Sequence, residues 1–289
     1  MFDALRPRRS VLYLPANRES AVAKARTLAA DCVILDLEDA VQPDAKEAAR
    51  AAAVAAAATG GWACELLVRV NGLSTTWCEA DFAAVRASFK EGGGFDGVVV
   101  PKVGSAEEAA RAVALAGGLP VWAMIETPGG VLAAAEIARV DGVVALLAGL
   151  GDLGKELRAT PDLGRLAFLH ALSAMVVAAR AAGRLVFDGV YMDVKDEAGL
   201  VAEARQGLVM GFDGKTLVHP AQVEPCNAVF SPSVESLEDA RGLIAAYEAG
   251  LAEGRGVTTY KGRLIETLHV ADARRKLAFA ELIAGRIGG

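Results

Sequence analysis

The chain has 289 residues, 53% of them hydrophobic and 23% charged, and a formal net charge of −6 at pH 7. That length suits one barrel-type domain or two ordinary ones, and the acidic balance argues against nucleic acid as the main partner. No apolar run of about eighteen residues is free of charges, and no apolar segment follows the basic start, so neither a membrane span nor a secretory signal is expected.

Short apolar, β-branched runs alternate with alanine-rich helical stretches along the chain. The strand candidates are SVLYLPA (10–16), CVILDLE (32–38), CELLVRVN (64–71), FDGVVVPKV (95–103), PVWAMIET (120–127), VVALLAGLGD (143–152), LVFDGVYMD (185–193) and GKTLVHP (214–220). Each is a continuous hydrophobic run, as parallel strands covered on both faces require. Helices are expected between them, for example over 18–30, 43–59 and 106–116. Eight β-α units predict an α/β fold, a (β/α)8 TIM barrel, over residues 1–230. Residues 231–289 break the pattern. Helices over 234–252 and 268–284, joined by the turn-rich EGRGVTTYKGR, make a C-terminal helical extension that packs on the barrel or crosses to a neighbouring subunit. Cys32, Cys64, Cys78 and Cys226 stand far apart without a C-x-x-C, which fits reduced core thiols in a cytoplasmic protein.

Three glycine-rich motifs invite a nucleotide-binding reading, and none supports it. AGLGDLG (148–154) contains a G-x-G-x-x-G after a strand. A helix opening at its last glycine is not expected, because KELRATPDLG (155–164) reads as a loop, and no ribose-binding carboxylate follows at the right distance. GFDGKT (211–216) ends like a P-loop, but Val209 stands where its first glycine belongs and a strand follows it. EGGGFDG (91–97) is a helix-to-strand connection.

Catalytic side chains of such a barrel sit at the C-terminal strand ends and in the loops after them. Those ends carry Asp36, Glu38 and Asp39, then Arg69 and Asn71, Lys102, Glu126 and Asp152. Taken singly, the carboxylates can cap helices, Arg69 can form a structural salt bridge, Glu126 can be a helix-start acid and Lys102 is open to either reading. Together on one rim they point to a site, because unpaired charge there is costly. Glu126 and Asp152, one β-α unit apart, suit Mg²⁺, which takes one or two protein carboxylates and leaves its other positions to water and substrate; Mn²⁺ is the alternative. The glycines flanking Asp152 let backbone amides, those of Gly151 and Leu153 among them, approach an anionic substrate. With His170 in a helix and His269 in the tail, a zinc cage is not expected, and His219 reads as a structural hydrogen-bonding residue.

In order along nearly the whole chain, RSVLYLPANRESAVAKA, ADCVILDLEDAVQPDAKEAAR, VRVNG, VVVPKV, IETPGGV, GLGDL and GFDGKTLVHPAQVEPCNAVFSPS resemble the citrate lyase beta-subunit-like branch of the HpcH/HpaI aldolase superfamily. The resemblance implies a Mg²⁺-dependent carbon–carbon lyase, a homotrimer or dimer of trimers, that cleaves a 3-hydroxyacyl thioester of the malyl-, methylmalyl-, citramalyl- or citryl-CoA type to a 2-oxo acid and an acyl-CoA. It implies metal ligation by Glu126 and Asp152 and substrate binding by Arg69. Glu38 and Asp39 become acids beside the metal, with Asp36 a further candidate, and Arg18 and Lys24 contact coenzyme A phosphates. Where relatives carry G-K-M-I-D, this chain has KGRLIETLH, which places Glu266 at the position of an aspartate that enters a neighbouring active site. In the expected reverse Claisen reaction, Arg69 stabilises the enolate oxygen, and Glu266 or a water oriented by Glu38 and Asp39 moves the proton. The alternatives are a malyl-CoA-type thioesterase, a free 2-oxo acid aldolase, and a citryl-carrier-protein lyase subunit.

Overall fold

A computed structural model describes residues 3, 5–90, 94–160, 165–255 and 257–287. Eight parallel strands close into a barrel: β1 Ser10–Pro15, β2 Cys32–Asp36, β3 Glu65–Arg69, β4 Gly97–Val100, β5 Val121–Ile125, β6 Val143–Ala148, β7 Leu185–Asp188 and β8 Gly214–Leu217, with β8 pairing back onto β1. The helices between them are α1 Glu19–Ala25, α2 Lys46–Thr59, α3 Cys78–Lys90, α4 Ala106–Ala116, α5 Pro128–Leu132 and α6 Ala134–Arg139. They continue as α7 Leu150–Leu157, α8 Leu169–Ala181, α9 Glu197–Met210 and α10 Val223–Phe230. The (β/α)8 reading of the sequence holds, strand for strand.

Alternation along each strand sorts its side chains into two layers. Cys32, Ile34, Leu67, Trp122, Met124 and Phe187 point into the barrel, where Trp122 stacks on Phe187 with ring centroids 4.8 Å apart. Val33, Leu35, Leu66, Val68, Val121 and Leu146 point outward and pack under the helices. Because both layers are buried, the strands read as continuous apolar runs. The inward series ends on polar residues: Asp36 continues Cys32 and Ile34, Arg69 continues Leu67, and Glu126 continues Trp122 and Met124. Asp36 and Arg69 are direct register partners.

The strands stop earlier than the sequence suggests. β2 ends at Asp36 because its carboxylate takes the amides of Glu38 and Ala40, turning the chain away from the sheet. The first helix is shorter than 18–30 because the amides of Thr27 and Leu28 bond three residues back, to the carbonyls of Lys24 and Ala25, which tightens and ends it. One loop expectation fails: the helix after β6 opens at Leu150, inside the glycine motif, so Lys155–Leu157 are helical and not loop. The Rossmann reading still fails, because the sheet is a closed barrel. Residues 161–164 of that expected loop, and 91–93 of the glycine-rich connection, lie outside the described residues.

Two compact units form, the barrel over Arg8–Phe230 and a second from Ser231 onward that includes Asp3–Pro7. In the second unit, α11 Val234–Ala252 and α12 Thr267–Ile287 pack together, and Tyr247 Oη lies 2.9 Å from Thr267 Oγ1. The connection between them, read from sequence as turns alone, contains an antiparallel hairpin of β9 Thr258–Tyr260 and β10 Arg263–Ile265. Lys261 and Gly262, both with positive φ (46° and 75°), make the two-residue turn that such a hairpin favours. No helix among the described residues is long and apolar enough to cross a membrane.

The base of the barrel leaves no room at the start of β8. A Cβ on Gly214 would lie 2.1 Å from the carbonyl oxygen of Arg8 and 2.8 Å from that of Arg9. Both obstacles are backbone, one of them bonded to the Lys215 amide. Gly214→Ala is therefore expected to cost about 1–3 kcal/mol, and a urea melt with unchanged stability would contradict this packing.

Candidate active site

The C-terminal mouth of the barrel holds a cavity of about 460 Å³. Asp36, Asp39, Arg69, Glu126 and Asp152 line one part of its wall, while Leu14, Val190, Met192 and Val218 make an apolar part.

Asp36 anchors the polar part. Its two oxygens accept Arg69 Nε at 2.7 Å and Nη2 at 2.6 Å, in addition to the two loop amides. Arg69 is thus held in a bidentate ion pair, and its guanidinium lies over the Tyr13 ring, 4.9 Å from the centroid. Its Nη1 reaches Glu38 Oε2 at 3.1 Å and Asp39 Oδ2 at 3.7 Å. The salt bridge allowed for Arg69 from sequence is real, and it turns the remaining nitrogen toward the loop acids. Lys46, at the start of α2, fixes that loop by donating to the carbonyls of Leu37 and Glu38 at 2.8 and 2.7 Å.

Glu126 is only 3% exposed. Burial lifts its carboxyl to about 7, against the pull of Arg69. Its Oε1 accepts the Lys102 amide at 2.8 Å; Thr127, not Glu126, caps α5. Gly149 leaves it space, since a Cβ there would sit 2.5 Å from Glu126 Cβ and Oε2. Asp152 stands in the first turn of α7, where the helix N-terminus favours negative charge. Its Oδ2 pairs with Lys102 Nζ at 2.9 Å, and the same ammonium donates to Glu38 Oε1 at 3.0 Å. Lys102 therefore contacts both members of the proposed metal pair. Asp39, with its side chain 63% exposed, is raised to about 6 by partial desolvation and by its hydrogen bond to Glu38 and that group's charge.

Five carboxylates (Asp36, Glu38, Asp39, Glu126, Asp152) share this region with three cations, Arg69, Lys102 and Lys46. With all five ionised the surplus would be two negative charges, but Glu126, at about 7, carries only part of its charge at neutral pH. Among the described residues no cluster of three or more His, Cys, Asp or Glu side chains could hold a metal ion. Glu126 and Asp152, both lining the cavity, are oxygen donors of the kind Mg²⁺ takes when water and substrate fill its other positions.

Gly151 lines the cavity and leaves open space where its Cβ would stand. Leu153 does not serve as an anion contact: its side chain is buried and its amide bonds to Gly149 O at 3.2 Å within α7. Arg18 is exposed at the N-cap of α1, and Lys24 is exposed in its last turn. Glu266 belongs to the C-terminal unit, where its amide donates to His269 Nδ1. His219 accepts the Ala221 amide through Nδ1, a structural cap. Tyr13 and Lys46 were not singled out from sequence. Alternation from Val11 points Tyr13 inward, whereas Lys46 reads as a surface helix residue.

The HpcH/HpaI aldolase/citrate lyase family model matches residues 9–220. The chain belongs to that family. Its relatives within the HpcH/HpaI family include a (3S)-malyl-CoA thioesterase of Cereibacter sphaeroides, 47% identical over 284 residues and 96% of both chains. An L-malyl-CoA/beta-methylmalyl-CoA lyase of the same organism is 34% identical, again over 96% of each. Among solved structures, CitE from Mycobacterium tuberculosis in complex with magnesium, acetoacetate and coenzyme A superposes with a TM-score of 0.82 at 32% identity. That match covers 96% of this chain and 99% of CitE.

The anchoring role of Asp36 separates it from its neighbours. Asp36→Asn removes the charge that pairs the buried Arg69 and is expected to destabilise the fold by about 3–5 kcal/mol. Asp39→Asn, at the exposed end of the same cluster, is expected to cost no more than about 1 kcal/mol. Equal losses in parallel denaturation curves would refute this division.

Proposed function

We propose that this chain is a divalent-metal-dependent enzyme acting on a malyl-type coenzyme A thioester, with hydrolysis to the free hydroxy acid as the first reading. The observation that carries it is the convergence of Arg69, Glu126 and Asp152 on one cavity, in a chain 47% identical to a protein named (3S)-malyl-CoA thioesterase. The 34% likeness to a malyl-CoA/beta-methylmalyl-CoA lyase supports carbon–carbon cleavage as the second reading.

In this reading Glu126 and Asp152 hold Mg²⁺ or Mn²⁺, and the ion, when bound, polarises the hydroxyl and carboxylate oxygens of the substrate. Arg69, fixed by Asp36 and Tyr13, turns Nη1, which it shares with Glu38 and Asp39, to the thioester oxygen, where negative charge develops in either reaction. For hydrolysis a water adds to the thioester carbonyl, its proton passes to a carboxylate, and the C–S bond breaks to release the coenzyme A thiol. Asp39, raised to about 6, is ionised at neutral pH and close enough to it to act as the base. For cleavage the substrate hydroxyl loses its proton, the bond between the hydroxyl-bearing carbon and the α-carbon of the thioester breaks, and Arg69 stabilises the acyl enolate until its α-carbon takes up a proton to give the acyl-CoA. Arg18 and Lys24 contact coenzyme A phosphates. The chain assembles as a homotrimer or a dimer of trimers, with Glu266 supplied from a neighbouring subunit as the further acid.

Turnover of malyl-CoA with Mg²⁺, resolved chromatographically, decides between the readings. Malate with free coenzyme A marks hydrolysis, and glyoxylate with acetyl-CoA marks the lyase. Asp152→Ala or chelator is expected to abolish either activity, and full turnover by Asp152→Ala would sink the scheme. Activity on unesterified hydroxy acids alone would favour the aldolase, and silence until a carrier protein is added would favour the lyase subunit. Glu266→Gln is expected to lower kcat about 10²–10⁴-fold with the assembly unchanged by sedimentation; unaltered kcat would remove Glu266 from the site.

A further inference from the structure

Lys102 occupies an unusual position for a lysine. Its backbone is left-handed, at φ 56°, a conformation that side-chain-bearing residues rarely adopt. It is held there from both ends. The amide donates to Glu126 Oε1 at 2.8 Å, and the ammonium bridges Glu38 Oε1 at 3.0 Å and Asp152 Oδ2 at 2.9 Å. Its side chain stays 43% exposed. One residue thus touches both carboxylates of the metal pair, and its positive charge lies on the oxygen that a cation would claim from Asp152.

Resting on the metal reading above, we propose that Lys102 is a built-in competitor of the divalent ion for Asp152, with Glu38 as its alternative seat. A dication and an ammonium cannot share one carboxylate oxygen at hydrogen-bond distance without strong repulsion. Entry of the ion therefore moves the ammonium off Asp152, while Glu38, buried and already bonded to Arg69, retains it. The backbone contact to Glu126 does not change in this exchange, so one ligand stays fixed while the other is released. The competition weakens binding of the bare ion and leaves full occupancy to the moment when substrate oxygens complete the shell.

Isothermal titration of the full-length protein with MgCl₂ alone tests this without any turnover. Lys102→Met is expected to bind Mg²⁺ at least about tenfold more tightly than the wild type, because the competing charge is gone. Lys102→Arg, which keeps the charge, is expected to stay close to wild type, and Lys102→Gln serves if the methionine variant does not fold. Glu38→Gln removes the alternative seat and is expected to weaken Mg²⁺ binding more in the wild type than in the Lys102→Met background. Unchanged or weaker affinity in the neutral variants overturns the proposal. Glu126→Gln separates the two levels. If it abolishes Mg²⁺ binding while Lys102→Met changes nothing, the competition fails and the metal site stands. If no variant binds Mg²⁺, or binding ignores Glu126, the metal reading falls and the competition with it.

Discussion

The site is organised around one costly object, the nearly inaccessible carboxylate of Glu126 at the top of an apolar barrel. Trp122 and Met124 precede it on the same inward face of β5, so the strand that positions it also strips it of water. An ionised group in that setting needs compensating positive charge or hydrogen bonds. The protein supplies one amide, from Lys102, and the attraction of the Arg69 and Lys102 charges. These leave its carboxyl at about 7, well above the ordinary range. A buried carboxylate left so incompletely stabilised is suited to a cation, which removes the cost of charging it and gains affinity in return.

Around Glu126 the other charges divide by how completely they are used. Asp36 has two guanidinium nitrogens and two amides on its oxygens, so it has little capacity left for a ligand and acts as a frame for Arg69. Glu38 is shared between Arg69, Lys102 and its neighbour's amide. Asp152 has one partner among the described contacts, the ammonium of Lys102, and Asp39 is largely open to solvent. Commitment falls from the barrel wall toward the mouth. The groups proposed to meet metal, water or substrate are those with uncommitted or exchangeable partners, which is the arrangement a preorganised site requires.

Much of this was legible because parallel barrel strands bury both faces. The count of their apolar runs marks eight strands, and the charged residues at the ends of several runs mark the rim. That reasoning reached Asp36, Arg69, Glu126 and Asp152, which share one cavity. It could not reveal that Asp36 is consumed by Arg69, because strand ends give position and not pairing. Nor could it place Lys102, whose two-sided role depends on a left-handed backbone that an ordinary lysine codon does not announce. KELRATPDLG reads as loop for its proline and glycine, and the glycines of AGLGDLG as an approach for an anionic substrate. Yet α7 begins among them: Gly149 must lack a Cβ to clear Glu126, and tertiary packing overrides propensity. The hairpin β9–β10 escaped for a simpler reason, since its strands of three residues are shorter than any periodicity can reveal.

The two proposed reactions make the same demand on this constellation, because both put negative charge on the same atom. Attack of water on a thioester and loss of an acyl enolate each make the thioester oxygen an oxyanion, and the framed guanidinium of Arg69 is complementary to both. What separates them is the origin of the electron pair: an added water in one case, the breaking carbon–carbon bond in the other. A divalent ion, which Glu126 and Asp152 would hold in the proposed scheme, would act on the hydroxy-acid end and favour cleavage by making the hydroxyl more acidic. A base at the wet end of the cluster acts on water near the thioester. In this chain the most exposed acid of the cluster, Asp39, stands 3.7 Å from Arg69 Nη1, beside the group that would hold the thioester oxygen. In the proposed scheme the balance between hydrolysis and cleavage would therefore rest on water access to the Asp39–Arg69 edge more than on the proposed metal ligands, which both reactions share.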